Sequence, residues 1–263
     1  MSSRAAQKNE ARQARLALEA ERERIARRQL RWRRLAATVI GAAVVVAVSV
    51  AVSSGRSGRP SAATGGSVSG VAFSRDLFAG VPQHGTRLGS PAAPVRLVEF
   101  ADLQCPYCDE YAVQALPTLV KHYVRAGKLQ MEFENLSFIG PDSVKAGRVA
   151  AAASQQNRLW NFVDLLYLNQ GTENSRYVTP AYLRRLLTAV PGLDVPVALH
   201  ASGTPTADAA LARANQLATQ DGVGATPTFL IGRTGGVLHP FQPTSLTPAP
   251  FAAELDSLLG GRK

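Results

Sequence analysis

Only two cysteines occur in the 263 residues, and they stand three positions apart, as Cys105-Pro106-Tyr107-Cys108. No disulfide framework is possible beyond that one pair, so the fold must stand on its own core. The surroundings narrow the choice further. Val95–Ala101 (VRLVEFA) is apolar and β-branched and reads as a buried strand, with Pro91 and Pro94 punctuating its start. A helix is expected over about 105–125, with Pro106 in its first turn. The pair then lies at a strand-to-helix junction, where a helix N-terminus offers about +0.5 of an elementary charge and unpaired amide N–H groups. Both stabilise a thiolate, so the thiol of Cys105 should ionise below the ordinary ~8.5. Cys105 is expected to be the exposed nucleophile. Cys108, one turn further in and more buried, is expected to resolve the mixed disulfide.

Two blander arrangements use the same residues. A closed zinc site needs four ligands, the pair supplies two, and the histidines at 84, 122, 200 and 239 are scattered without ligand spacing. Two ordinary buried cysteines would leave unexplained why the pair falls at this spacing on this junction.

Further candidates lie elsewhere in the chain. Thr226-Pro227-Thr228-Phe229 opens a strand with a proline, which cannot donate a ladder bond and so belongs at an edge or a special turn. A cis Pro227 would present the backbone of Thr226 to the cysteines and to an extended substrate; an ordinary loop proline is the alternative. Pro106 and Tyr107 are expected to meet substrate. Glu99 shares a strand face with Val95 and Leu97, so it points inward, where burial would raise its pKa and let it relay a proton to or from Cys108. The alternative is an acid at the strand end that reaches solvent. Asp102 reads as a cap near the helix start, Pro117 as a kink, and Trp160 and Phe162 as core.

Charge and hydropathy divide the chain. Net charge is +10, but residues 1–34 hold eleven Lys/Arg and four Glu, which leaves only +3 for the other 229 residues. The basicity belongs to a tail and not to a nucleic-acid-binding face. Residues 35–52 carry no charge. At ~1.5 Å per residue they extend ~27 Å, enough with Ser53 and Ser54 to cross a hydrocarbon core. The arginines before the run place the tail in the cytoplasm and everything after residue 54 outside it. A cleaved signal peptide would have a shorter charged region. The expected organisation is a cytoplasmic tail (1–34), one transmembrane helix (35–54), a flexible Gly/Ser linker (55–70) and a domain over 71–263. Within that domain a second strand is expected over 129–133, a helical block over about 142–219 with helices at 146–156, 158–168, 181–188 and 207–220, then a hairpin of 228–231 and 237–239, and a final helix around Phe251, Leu255, Leu258 and Leu259.

Taken together, Leu88-Gly89-Ser90-Pro91, Ala93-Pro94-Val95, Val98-Glu99-Phe100, Gln104-Cys105-Pro106-Tyr107-Cys108 and Gly224-Ala225-Thr226-Pro227-Thr228-Phe229 resemble the bacterial, membrane-anchored branch of the DsbA-like thioredoxin family. The resemblance covers about residues 80–260. It implies an α/β thioredoxin fold with a helical insertion, with Cys105 as nucleophile, Cys108 as resolving thiol, Pro227 as the cis proline and Glu99 as the buried acid. It implies no cofactor beyond the Cys105–Cys108 disulfide. It also implies unfolded exported proteins with free thiols as substrates, and reoxidation by a quinone-linked membrane protein, DsbB-like or vitamin K epoxide reductase-like. One position departs from the family: Pro106-Tyr107 stands where its strongest oxidases have Pro-His, and Pro-Tyr is typical of glutaredoxins. Small glutaredoxins lack the inserted domain that the separation of 119 positions between Cys108 and Pro227 requires.

The leading expectation is therefore a membrane-anchored protein disulfide oxidase. A reductase or isomerase acting outside the cytoplasm, and a non-catalytic tethered chaperone of the same fold, remain alternatives.

Overall fold

Val95–Ala101 forms β3, the strand on which the rest of the domain is assembled. A computed structural model describes residues 67–260. The expected tail and transmembrane helix lie outside those residues, as does most of the linker. Among the described residues no helix is long and apolar enough to cross a membrane.

The described chain begins with α1 (Val71–Phe78) and two short strands, β1 (Gln83–His84) and β2 (Arg87–Leu88). After β3 come α2 (Pro106–Gln114), α3 (Leu116–Leu119) and a wider π-helical turn (Val120–Val124), then β4 (Leu129–Asn135). Five helices follow: α4 (Pro141–Gln155), α5 (Leu159–Leu168), α6 (Pro180–Ala189), α7 (Val195–Ser202) and α8 (Pro205–Gln220). The chain then returns to the sheet as β5 (Thr228–Arg233) and β6 (His239–Phe241), and closes with α9 (Pro248–Gly260). The strand order is β1-β2-β4-β3-β5-β6, with β3 parallel to β4 and antiparallel to β5. This is an α/β thioredoxin fold with a helical insertion between β4 and β5.

The period of two in β3 and β4 sets which residues meet which layer. Val95, Leu97 and Ala101 join Leu129, Met131 and Phe133 in the main core, beneath α2 and α9. Val98 and Phe100 turn the other way, into a smaller cluster with Leu230, Ala214 and Ala218, the last two from α8. Gln130, Glu132 and Glu134 of β4 alternate with its core residues and are also buried. Arg87 and Arg96 pair with Glu132, and Arg213 of α8 reaches Glu134 at 3.3 Å.

Local chemistry accounts for the boundaries. Proline opens α2, α4, α6, α8 and α9, where its missing N–H would lack a partner anyway. Thr179 and Asp194 cap α6 and α7 by accepting from Tyr182 N and Val197 N. Gly89 precedes β3 with φ +96°, and a Cβ there would stand 2.9 Å from the Leu129 carbonyl oxygen. α4 crosses the end of β4 so closely that a Cβ on Gly147 would overlap the side chains of Asn135 and Ser137.

Several expectations are corrected. The helix expected over 105–125 is divided at Ala115 into α2, α3 and the π turn. Pro117 accordingly lies in the first turn of α3 and not inside one long helix. The helix α7 was not expected: its eight residues VPVALHAS show no polar stripe. The strands β1 and β2 are two residues each, too short for an alternation to register. The folded chain also begins slightly earlier than residue 71, since Ser69 N donates to Asn169 Oδ1 (2.8 Å) and Asn169 Nδ2 to Ser69 O (3.0 Å).

Candidate active site

The site forms where β3 ends and α2 begins. Cys105 is the residue before the helix, extended at φ −68° and ψ 122°, and Pro106 starts the first turn. Across a short gap, the Thr226–Pro227 peptide bond is cis and turns the Thr226 carbonyl toward the cysteines. Cys105 Sγ donates to that oxygen at 3.4 Å. The loop before β5 and the tip of α2 therefore come together around one sulfur, as the sequence motifs predict.

The two cysteines are free thiols in this structure, and their surroundings differ. A hydrogen bond from Cys108 lowers the Cys105 pKa most; burial opposes it, while a side-chain hydrogen bond from Thr226 and the N–H groups of Cys108 and Tyr107 assist. The result is a thiol lowered to about 6. Burial drives Cys108 the other way, well above its ordinary value, with Cys105 and Glu99 adding to the effect. One sulfur is thus ready to ionise while its neighbour holds its proton. The expectation of an exposed Cys105 is corrected: only 4% of its surface is open, against none for Cys108. Pro106 follows it directly, and Tyr107, whose N–H supports the thiolate, has an exposed side chain.

Glu99 lies inside. It is paired in register with Phe133 on β4 and Phe229 on β5, is 2% exposed, and its Oε1 finds no hydrogen-bond partner. The alternative of an acid reaching solvent does not hold. Burial first, and then the charge of Cys105, raise its pKa to about 8, so the carboxyl is protonated at neutral pH. Tyr111 of α2, whose ring packs on Phe229 and Phe251 at centroid distances of 4.7 and 5.1 Å, lines the same interior and also has an unsatisfied hydroxyl.

Asp102 does something other than cap the helix, since the N-cap is Cys105. Its carboxylate accepts four hydrogen bonds: from Gln104 N (2.8 Å), Ser143 Oγ (2.7 Å), Phe138 N (3.0 Å) and Ile139 N (3.0 Å). It ties the loop before Cys105 to the start of the helical insertion. Gln104 extends the tie by donating to Ser143 Oγ and accepting from Asn174 N, both at 2.9 Å. Gln170, just beyond α5, reaches the same loop. Ser143, Gln170 and Asn174 escaped the sequence reading because isolated polar residues in a helical block carry no spacing signal, and Gln104 was legible only as part of the cysteine motif. Trp160 is core, as expected: its Nε1 donates to Thr86 O at 3.1 Å and its ring meets Phe133 edge-on. Among the described residues no cluster of three His, Cys, Asp or Glu side chains could hold a metal ion.

Comparison with known proteins places this geometry among relatives. A family model described as thioredoxin matches residues 83–237. Over 111 residues the chain is 36% identical to the "Probable disulfide bond formation protein D" of Bacillus cereus, covering 41% of this chain and 51% of that one. It is 27% identical over 150 residues to the "Disulfide bond formation protein D" of Bacillus subtilis, covering 55% and 66% of the two chains. The match thus spans about half the length of the first of these relatives. The crystal structure of oxidised BdbD from Bacillus subtilis has the same fold, with a TM-score of 0.59 at 21% identity, covering 69% of this chain and 98% of that one.

Proposed function

The chain belongs to the thioredoxin family, and from that premise we propose that it is a thiol-disulfide oxidoreductase that forms disulfides in exported proteins. The observation that carries this reading is the asymmetry of the two sulfurs at the tip of α2. A stabilised Cys105 thiolate stabilises the reduced pair, and a dithiol that prefers to be reduced makes an oxidising disulfide. The names of the Bacillus relatives point the same way.

A substrate thiolate attacks Cys105 Sγ of the Cys105–Cys108 disulfide. The new S–S bond joins substrate to Cys105, and the electron pair of the broken bond leaves on Cys108. Cys108 retains a proton strongly, and the protonated Glu99 carboxyl beneath it is the donor. A second substrate thiolate then attacks the substrate's own bonded sulfur and expels Cys105 as a thiolate, which the helix tip and Thr226 stabilise. Two electrons pass from the substrate dithiol to the pair. Pro106, Tyr107 and the Thr226 backbone border the sulfur where an extended chain would lie.

The same reading gives the protein a setting. Residues 35–54 form a single membrane span, the tail faces the cytoplasm, and the catalytic domain works outside it. Reoxidation falls to a quinone-linked membrane partner, DsbB-like or vitamin K epoxide reductase-like. A reductase reading rests on Pro106-Tyr107, the dipeptide typical of glutaredoxins, and one experiment separates the two. The full-length protein is equilibrated with glutathione buffers and the fraction of Cys105–Cys108 disulfide is read by thiol labelling and mass. With Cys105 near 6 and not lower, the potential is expected between thioredoxin's ~−270 mV and DsbA's ~−120 mV. A value at or below thioredoxin's would assign a reductase.

A further inference from the structure

Besides the contacts at Asp102 and Gln104, the helical insertion reaches the cysteine loop through one side chain that grips the backbone at Cys105 itself. Gln170 follows the end of α5, and its amide nitrogen donates to the carbonyl oxygens of both Leu103 (3.1 Å) and Cys105 (3.2 Å). We propose that Gln170 is a positioning residue for the nucleophile: it holds the Leu103–Gln104 peptide before Cys105 and the Cys105–Pro106 peptide after it, so that the sulfur faces the N–H groups of the first turn. This rests on the oxidoreductase reading above.

The corner that carries Gln170 is firmly held. Asn169 Nδ2 donates to Leu165 O (2.8 Å) and Ser69 O (3.0 Å), while its Oδ1 accepts from Ser69 N. The Asn169 carbonyl accepts from the hydroxyl of Tyr182 at 3.1 Å. On the other side Gly171 lies against the ring of Tyr177, so closely that a Cβ would stand 2.5 Å from the ring. Gln170 is thus aimed by its neighbours on both sides.

What it grips matters electrostatically. The Cys105 carbonyl also accepts the first intrahelical bond, from Asp109 N at 3.1 Å, so Gln170 supplies its second partner. Leu103 O has no other protein donor among the hydrogen bonds of the described residues. Carbonyl dipoles near a sulfur oppose a negative charge on it, and donors placed on them weaken that opposition. Fixing the Cys105 peptide also fixes the direction of the amides of Tyr107 and Cys108, which support the thiolate. The ionisable groups that face Cys105 are Cys108 from α2, Glu99 from β3 and Tyr167 from α5. A change at Gln170 leaves all three in place.

The test is the ultraviolet absorbance of the thiolate, followed against pH in the full-length, reduced protein. The chain has only two cysteines and Cys108 does not ionise in the range, so the signal belongs to Cys105. Gln170→Ala and the near-isosteric Gln170→Glu, which replaces the donor by acceptors, are compared with the wild type, each with its thermal unfolding midpoint. In both variants the titration midpoint should rise, further for Glu than for Ala, and the glutathione equilibrium should move toward the disulfide in the same order. If Gln170→Ala does not fold, Gln170→Glu carries the comparison alone. Variants that unfold more easily yet titrate with the wild type would make Gln170 merely structural and overturn the inference. A wild type without a low midpoint would instead remove the oxidase reading, so the two failures are distinguishable.

Discussion

The two faces of the central strands bury glutamates in opposite ways. On one face Glu132 meets Arg87 and Arg96, and Glu134 meets Arg213. On the other, Glu99 lies among Leu97, Phe133, Phe229 and Tyr111 with an unsatisfied oxygen and, among the described residues, no ion-pair partner. The same residue type in one sheet therefore has two consequences. Where arginines accompany the acid, burial joins the sheet to α8 and to the β2 edge. Where none does, burial holds a proton under Cys108. An acid kept neutral beneath a thiol that must gain and lose a proton suits exchange chemistry, and it costs stability that a glutamine would not.

The comparison breaks most sharply at the sulfur itself. Cys105→Ser should abolish disulfide exchange with glutathione altogether, since Cys108 is buried with its thiol held protonated. Full exchange in that variant would mean that Cys108 is the nucleophile.

The next test concerns Glu99. Its folded pKa of about 8 lies above the ordinary 4.5, so the folded state binds the proton more tightly than the unfolded chain. Stability from this group is present below about 4.5 and declines as pH rises through 8. Glu99→Gln should therefore stabilise the reduced protein at pH ~9 by roughly 2–4 kcal/mol, with little difference at pH ~4. It should also slow formation of the mixed disulfide at Cys105 by about tenfold or more, because the donor to the departing Cys108 sulfur is gone. Denaturant unfolding at the two pH values and stopped-flow exchange read the two effects.

Arg213→Ala sharpens the opposite face. Glu134 is raised to about 7, because burial outweighs the attraction of Arg213. Its stabilising share is likewise lost as pH rises through 7, and Arg213 limits that loss. Removing a half-exposed arginine should cost about 1 kcal/mol above pH ~8 and almost nothing near pH ~5, by denaturant unfolding. Smallest of all, Arg148→Ala breaks the pair with Asp208, where both side chains are well exposed. The change should stay within about 0.5 kcal/mol at any pH.

What the sequence disclosed follows from how far each signal reaches. Strand β3, the helix after it and the pair at Cys105 and Cys108 were legible because hydrophobic run, proline and cysteine spacing are all local. The inward direction of Glu99 followed from a period of two. The helical block was visible as a block, yet α7 was not, since eight residues without a stripe give no phase. The break near Ala115 was legible as a kink at Pro117, which stands two residues later and lacks a helical N–H, while its exact place was not. The clamp of Asp102, Gln104, Ser143 and Gln170 was illegible for a different reason. Its members are separated by up to 68 residues and meet only after the insertion folds back on the cysteine loop.

The central claim is that one sulfur of the pair ionises early while its neighbour does not. The direct measurement is the rate of alkylation of the reduced full-length protein against pH, with the modified cysteine identified by peptide mass. The rate at Cys105 should reach half its maximum near pH 6, with Cys108 unmodified until the protein unfolds. A midpoint near 9 at Cys105, or equal labelling of both cysteines in the folded protein, would contradict it.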